Sequence, residues 1–132
     1  MIKQIAILLA LFLVNFGVFA EWVQQGGNSE ITVYSNSEGI IKSNETIRAW
    51  YLFDFKTPKI DAINFPYSSS REFFEFNCQL KTIRNLSLTW FSGSMGQGSV
   101  NRHYDKASEW RNVAPDTFEA WLLKNACTKL KP

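Results

Sequence analysis

Apolar and aromatic side chains cluster in four stretches, Glu30 to Tyr34, Thr46 to Phe55, Glu72 to Cys78 and Ile83 to Phe91, each rich in β-branched or aromatic residues and bounded by turn formers. That composition predicts strands. In the last stretch Leu86, Leu88 and Trp90 alternate with Asn85, Ser87 and Thr89, the period of a strand buried on one face. Shorter runs at Trp22 to Gln24 and Val100 to Tyr104 add two edge strands, which makes about six in all. The connection Gln79 to Thr82 is too short for the crossover that parallel neighbours need, so it predicts a hairpin and antiparallel pairing.

The period changes near the carboxyl end. After Pro115-Asp116-Thr117, where Asp116 or Thr117 can cap, Phe118, Trp121, Leu122 and Ala126 fall on one helical face. Lys124, Lys129 and Lys131 lie toward its end, where positive charge complements the helix dipole. A sheet followed by a terminal helix predicts an α+β fold. On this reading Phe74 and Phe76 of the third strand meet Phe118, Trp121 and Leu122.

The first twenty residues follow neither pattern. Lys3 precedes an unbroken apolar run from Ile5 to Val14, then come Asn15, Gly17 and Val18-Phe19-Ala20. This is the layout of a secretory signal peptide cleaved after Ala20. The run is about half the ~20 apolar residues that cross a bilayer, so a transmembrane anchor is not expected. No cysteine lies at the cleavage site, so no lipid anchor is expected either. The chain therefore divides into a leader, 1–20, and a single domain, 21–132, exported to the periplasm or released.

Export changes the reading of Cys78 and Cys127, the only two cysteines. In an oxidising compartment they are expected to form a disulfide, which here ties the end of a strand to the end of the helix. Five tryptophans and four tyrosines, all beyond the leader, argue for a packed core. The formal charge is only +2 and no run of like charges occurs, so the basic stripe of a nucleic-acid groove is missing.

Candidate chemistry is sparse. His103 is the sole histidine, and neither HExxH nor a cysteine pair at metal spacing occurs, so no metal or other cofactor is expected. No Gly-x-Ser-x-Gly elbow accompanies His103 and Asp105, and nothing singles out two carboxylates among twelve. The segment Ser92 to Ser99 is glycine-rich but lacks the Gly-Lys-Ser/Thr of a phosphate loop, and predicts a turn or bulge between strands. Asn44-Glu45-Thr46 and Asn85-Leu86-Ser87 fit the glycan-acceptor pattern.

Taken in order, Tyr34-Ser35-Asn36-Ser37, Ser68 to Ser70, Phe76-Asn77-Cys78, Met95-Gly96-Gln97-Gly98, Ala114-Pro115-Asp116-Thr117 and Ala126-Cys127 resemble the bacterial surface-adhesin protein E family, from about Ile31 to Cys127. The resemblance implies an antiparallel sheet with a carboxyl-terminal helix tied to it by Cys78 and Cys127, often as a homodimer. It also implies a binding role toward host matrix proteins such as vitronectin and laminin, and plasminogen. The family's binding region is similar to the segment Ser68 to Thr89, whose basic residues are Arg71, Lys81 and Arg84, interrupted by Glu72 and Glu75.

Three functions follow as expectations. The first is a non-enzymatic module binding a host matrix or envelope protein, with Trp22, Trp50 or Trp110 as anchors. The second is a small-ligand carrier with a concave sheet face lined by Tyr51, Phe53 and Trp90. The third is a small hydrolase, which needs His103 within hydrogen-bond reach of a serine and an acid.

Overall fold

The computed structural model describes residues 21–130. The expected leader and Lys131 lie outside them. Among the described residues eight strands form one antiparallel sheet: β1 (Trp22–Gly27), β2 (Ile31–Asn36), β3 (Ile41–Lys42), β4 (Thr46–Ile60), β5 (Pro66–Asn77), β6 (Thr82–Phe91), β7 (Val100–Tyr104) and β8 (Arg111–Asn112). Six of them run in the order β1-β2-β4-β5-β6-β7. The two-residue β3 pairs with the start of β4 and the two-residue β8 with the start of β6. One α-helix follows among the described residues, α1 (Phe118–Lys129), and lies on one face of the sheet.

The core follows from the strand period. Ile47, Ala49, Tyr51 and Phe53 of β4 point to the helix side, where they meet Phe74 and Phe76 of β5, Val33 of β2 and Ile83 of β6. Leu122, Leu123 and Ala126 of α1, with Leu130 just beyond it, cover this patch. The rings pack edge to face: Tyr51 lies 6.0 Å from Phe74 and 5.9 Å from Phe76, at interplanar angles of 79° and 72°. Cys78 and Cys127 are bonded, with Cα atoms 5.8 Å apart, so the covalent tie runs from the end of β5 to the end of the helix. Thr117 is the helix cap, its hydroxyl accepting from the Ala120 amide over 3.1 Å.

Three details depart from the sequence reading. The helix is rolled: Leu123 and Asn125 face inward with Leu122 and Ala126, while Phe118 and Trp121 stay 47% and 37% exposed. Phe118 meets Phe53, at 5.6 Å, instead of Phe74 or Phe76. The roll has two causes outside the helix, the bond at Cys127 and a hydrogen bond from Tyr51 to Asn125. In β6 the expected buried series fails because a bulge opposite Phe73 and Phe74 leaves Leu86 as the extra residue. Ile83 before it and Leu88 and Trp90 after it share the helix side, but the last two are only half-buried because α1 does not extend over them. Finally, β4 continues to Ile60 and β5 begins at Pro66. Regular pairing breaks between Asp54 and Lys59, around Pro58, which has no N–H to offer a ladder, and resumes at Lys59 opposite Tyr67.

Candidate functional site

On the sheet face away from α1, three of the residues expected to bind, Trp50, Arg71 and Arg84, converge. Register makes this face: Arg48, Trp50 and Leu52 of β4 lie opposite Glu75, Phe73 and Arg71 of β5, which in turn oppose Arg84, Ser87 and Thr89 of β6. Its centre is a pair of rings, Trp50 and Phe73, stacked at 4.7 Å and 15°. The exposed Arg71 guanidinium lies 5.6 Å from the Trp50 ring and 5.3 Å from that of Phe91, a cation held between two π faces. Next along β5, Glu75 is buried at 4% exposure and joins two arginines, 2.7 Å from Arg48 Nε and 2.6 Å from Arg84 Nη2. Burial alone would raise the Glu75 carboxyl, but the two guanidiniums outweigh it and hold it below the usual carboxylate range. Arg84 also lies 4.6 Å from the centre of the Trp110 ring.

The glycine-rich segment closes one end of this face. Ser69 Oγ donates to the Gly93 carbonyl over 2.6 Å and accepts from the Gly96 amide over 2.9 Å, while the Met95 amide donates to Asp54. The segment is the turn expected from its glycines, with Gly96 and Gly98 at φ of 70° and 83°. Leu52 and Phe91 lie buried beneath it. Trp50, Phe73 and Arg71 remain outside the covered end.

Of the three basic residues expected to bind, Arg71 and Arg84 share this face and Lys81 does not. Lys81 occupies the turn after β5 at φ 54° and lines a cleft of about 540 Å³ beside the disulfide, with Val113, Pro115 and Leu123. Glu72, its side chain on the helix side, does not interrupt the basic face, whereas Glu75 does so by pairing with two of its members. Of the tryptophans expected as anchors, Trp50 and Trp110 lie in this arrangement, beside Arg71 and Arg84. Sequence reading missed Arg48 and Phe73. Their spacing of two from Trp50 and Arg71 puts each pair on one face, but only the β4–β5 register brings the pairs together.

His103 has a threonine, not a serine, for its partner: Nδ1 is 2.7 Å from Thr89 Oγ1 and Nε2 is 2.9 Å from Asp105 Oδ1. Thr89 is only 3% exposed, so its hydroxyl is not presented to a substrate. The concave face expected for a carrier is largely occupied, since Tyr51 is buried under α1 and Trp90 stacks on Tyr67 at 4.6 Å. Among the described residues no cluster of three or more His, Cys, Asp or Glu side chains is arranged to hold a metal.

These features define an open antiparallel sheet clasped on one side by a disulfide-tied helix and carrying arginines and aromatic rings on the other. The chain belongs to the surface-adhesin protein E family, whose sequence model it matches over residues 22–128. Among curated proteins none matches it. Solved structures of protein E from Haemophilus influenzae share its fold. One crystal form superposes with a TM-score of 0.61 at 16% identity, covering 83% of this chain and 89% of that one. A selenomethionine form superposes with a TM-score of 0.59 at 16% identity, covering 86% and 90%. No helix among the described residues is long and apolar enough to cross a membrane.

Proposed function

We propose that this chain is an exported, non-enzymatic binding protein that attaches to a protein partner through the face centred on Trp50, Arg71 and Phe73. The observation carrying this reading is the exposed Arg71 guanidinium held between Trp50 and Phe91 on a face that the helix leaves bare. Tryptophan and arginine contribute disproportionately to protein interfaces, because each covers much apolar area and still donates hydrogen bonds. Stacking restrains Arg71 before contact, so less side-chain entropy is lost on binding. Membership of an adhesin family supports a protein ligand, either a host matrix protein such as vitronectin or laminin, plasminogen, or a component of the cell envelope. The apolar leader supports delivery to the periplasm or beyond.

The test is surface plasmon resonance of the exported chain over immobilised vitronectin, laminin and plasminogen, with an envelope extract passed through a column of the same chain in parallel. A captured partner should bind Trp50→Ala and Arg71→Ala at least about tenfold more weakly, and Lys81→Ala as well as the parent. Equal binding by all four would move the site elsewhere, and no partner on either arm would remove the proposal. Light scattering of the same sample distinguishes a monomer from the homodimer that the family resemblance implies.

A further inference from the structure

On the helix side of the sheet, beyond the amino end of α1, an open groove of about 340 Å³ remains. Its apolar walls are Phe53, Phe55, Phe118 and Ile31, with Lys59 and Glu72 also reaching it. Phe118, which a helix of this kind would ordinarily bury, stands half-exposed over Phe53. The groove shares Asn28, Ile31 and Phe118 with a smaller recess next to it.

Glu72 is the unusual member. Its carboxylate accepts from Asn85 Nδ2 at 3.0 Å and Ser70 Oγ at 3.3 Å, both neutral donors, and among the described residues no ion pair reaches it. The elements around it do not supply the missing charge. From β4 come the neutral Tyr51 directly opposite and Lys59 farther along; from β6, Asn85 and Leu88; from β5 itself, Tyr67. Arg111 of β8 and Glu119 of α1 lie close enough to influence it, but they pair with each other at 2.7 Å. Glu30 lies on the groove's rim. Burial consequently pushes the Glu72 carboxyl up to about 7, against the opposing pull of its two hydrogen bonds. The rings beside it already accept a cation, for Lys59 Nζ lies 5.7 Å from the centre of Phe55.

We infer that this groove is a binding site for an organic ammonium, its charge paired with Glu72 and its apolar body laid against Phe53, Phe55 and Phe118. Carboxylate and ring faces attract the same sign of charge, and a groove of this size suits a small amine. The site lies on the opposite side of the sheet from the protein-binding face and stands or falls independently of it. Below neutral pH, binding drives a proton from the Glu72 carboxyl into solvent, because the ammonium pairs with the ionised form alone.

Isothermal titration calorimetry of the full exported chain tests this with hexylammonium as the probe, hexanol as its neutral counterpart, and Nα-acetyl-lysine amide to separate a free amine from a lysine side chain. Hexylammonium should bind saturably at pH 8 and up to about tenfold more weakly per pH unit below 7, with an enthalpy at pH 6 that varies with the buffer as one proton is released. Glu72→Gln, which keeps the side chain's shape, should lose about tenfold at pH 8 together with the pH slope, while Phe118→Ala weakens hexylammonium at every pH. Binding of the lysine amide would extend the site to peptide lysines, and its rejection would confine the site to free amines; either is consistent with the inference if hexylammonium behaves as stated. Hexanol binding as tightly as hexylammonium, an unchanged pH slope in Glu72→Gln, or full affinity in Phe118→Ala would overturn it.

Discussion

The phenol of Tyr51 donates to Asn125 Oδ1 over 2.7 Å, joining the middle of β4 to α1 across 74 residues of sequence. Asn125 in turn donates to Gln25 Oε1 at 2.9 Å, and Gln25 donates to Ser35 Oγ at 2.9 Å, so β1, β2, β4 and α1 share one polar chain beneath the helix. Among the described residues no buried side-chain nitrogen or oxygen lacks a partner. A chain of this kind admits one helix roll, because any other would strand buried polar atoms.

Tyr51→Phe should therefore lower stability by about 1–2 kcal/mol, since the ring still packs but Asn125 loses its donor. Urea unfolding followed by circular dichroism should show an earlier midpoint with an unaltered slope. An unchanged midpoint would mean that the helix is positioned by packing and the disulfide alone.

Opening the disulfide should cost more. The bond spans 49 residues, for which the chain-entropy model gives about 4 kcal/mol, against a total of about 5–15 kcal/mol for a domain of this size. Cys78→Ser and Cys127→Ser should each bring the melting temperature down sharply, and reductant should do the same to the parent protein and nothing to the mutants.

Gly98→Ala should disturb the cap over Leu52 and Phe91. Gly98 has φ of 83°, and an added Cβ would collide with Ser92 Oγ and the Gly93 backbone. Strain of about 1–3 kcal/mol should result. Hydrogen exchange should speed up at Gly93 and Ser99, whose amides bond across the loop, while protection in the helix should stay as it was.

Stability should depend on pH through Glu72 and Glu75 with opposite signs. Glu72 keeps its proton up to about pH 7 in the folded chain, against 4.5 ordinarily, so between those values the folded state binds more protons and stability falls as pH rises. Its contribution is complete below about 4.5 and gone above about 7. Glu75, held below the usual range, contributes stability present above the ordinary carboxylate pKa and lost as acid protonates it. Glu72→Gln should gain on the parent by about 2 kcal/mol between pH 4 and pH 8, less than the full shift would give because solvent reaches the carboxylate through the groove. Parallel stability curves for the two proteins over that range would contradict this.

Much of the architecture was legible in the sequence because its signals are local. β-Branched and aromatic composition in Thr46 to Phe55 and Glu72 to Cys78 marks the two central strands, and Pro115-Asp116-Thr117 marks the start of the helix. The proposed binding face was half legible. Arg71, Arg84, Trp50 and Trp110 were all named from sequence, but nothing local says that Trp50 lies opposite Phe73, or that Lys81 turns away beside the disulfide.

By itself the sequence determined which stretches form the long strands and which the helix, since composition and side-chain period are properties of each element alone, and it offered its two cysteines each other as partners within the chain. Tertiary structure alone decided the register of β4 on β5, the bulge at Leu86, the roll that leaves Phe118 and Trp121 half-exposed, and the placing of Glu72 at a groove where, among the described residues, no ion pair reaches it. Each of these depends on residues far apart in the chain satisfying one another's packing and hydrogen bonds together, a condition that no short stretch of sequence contains.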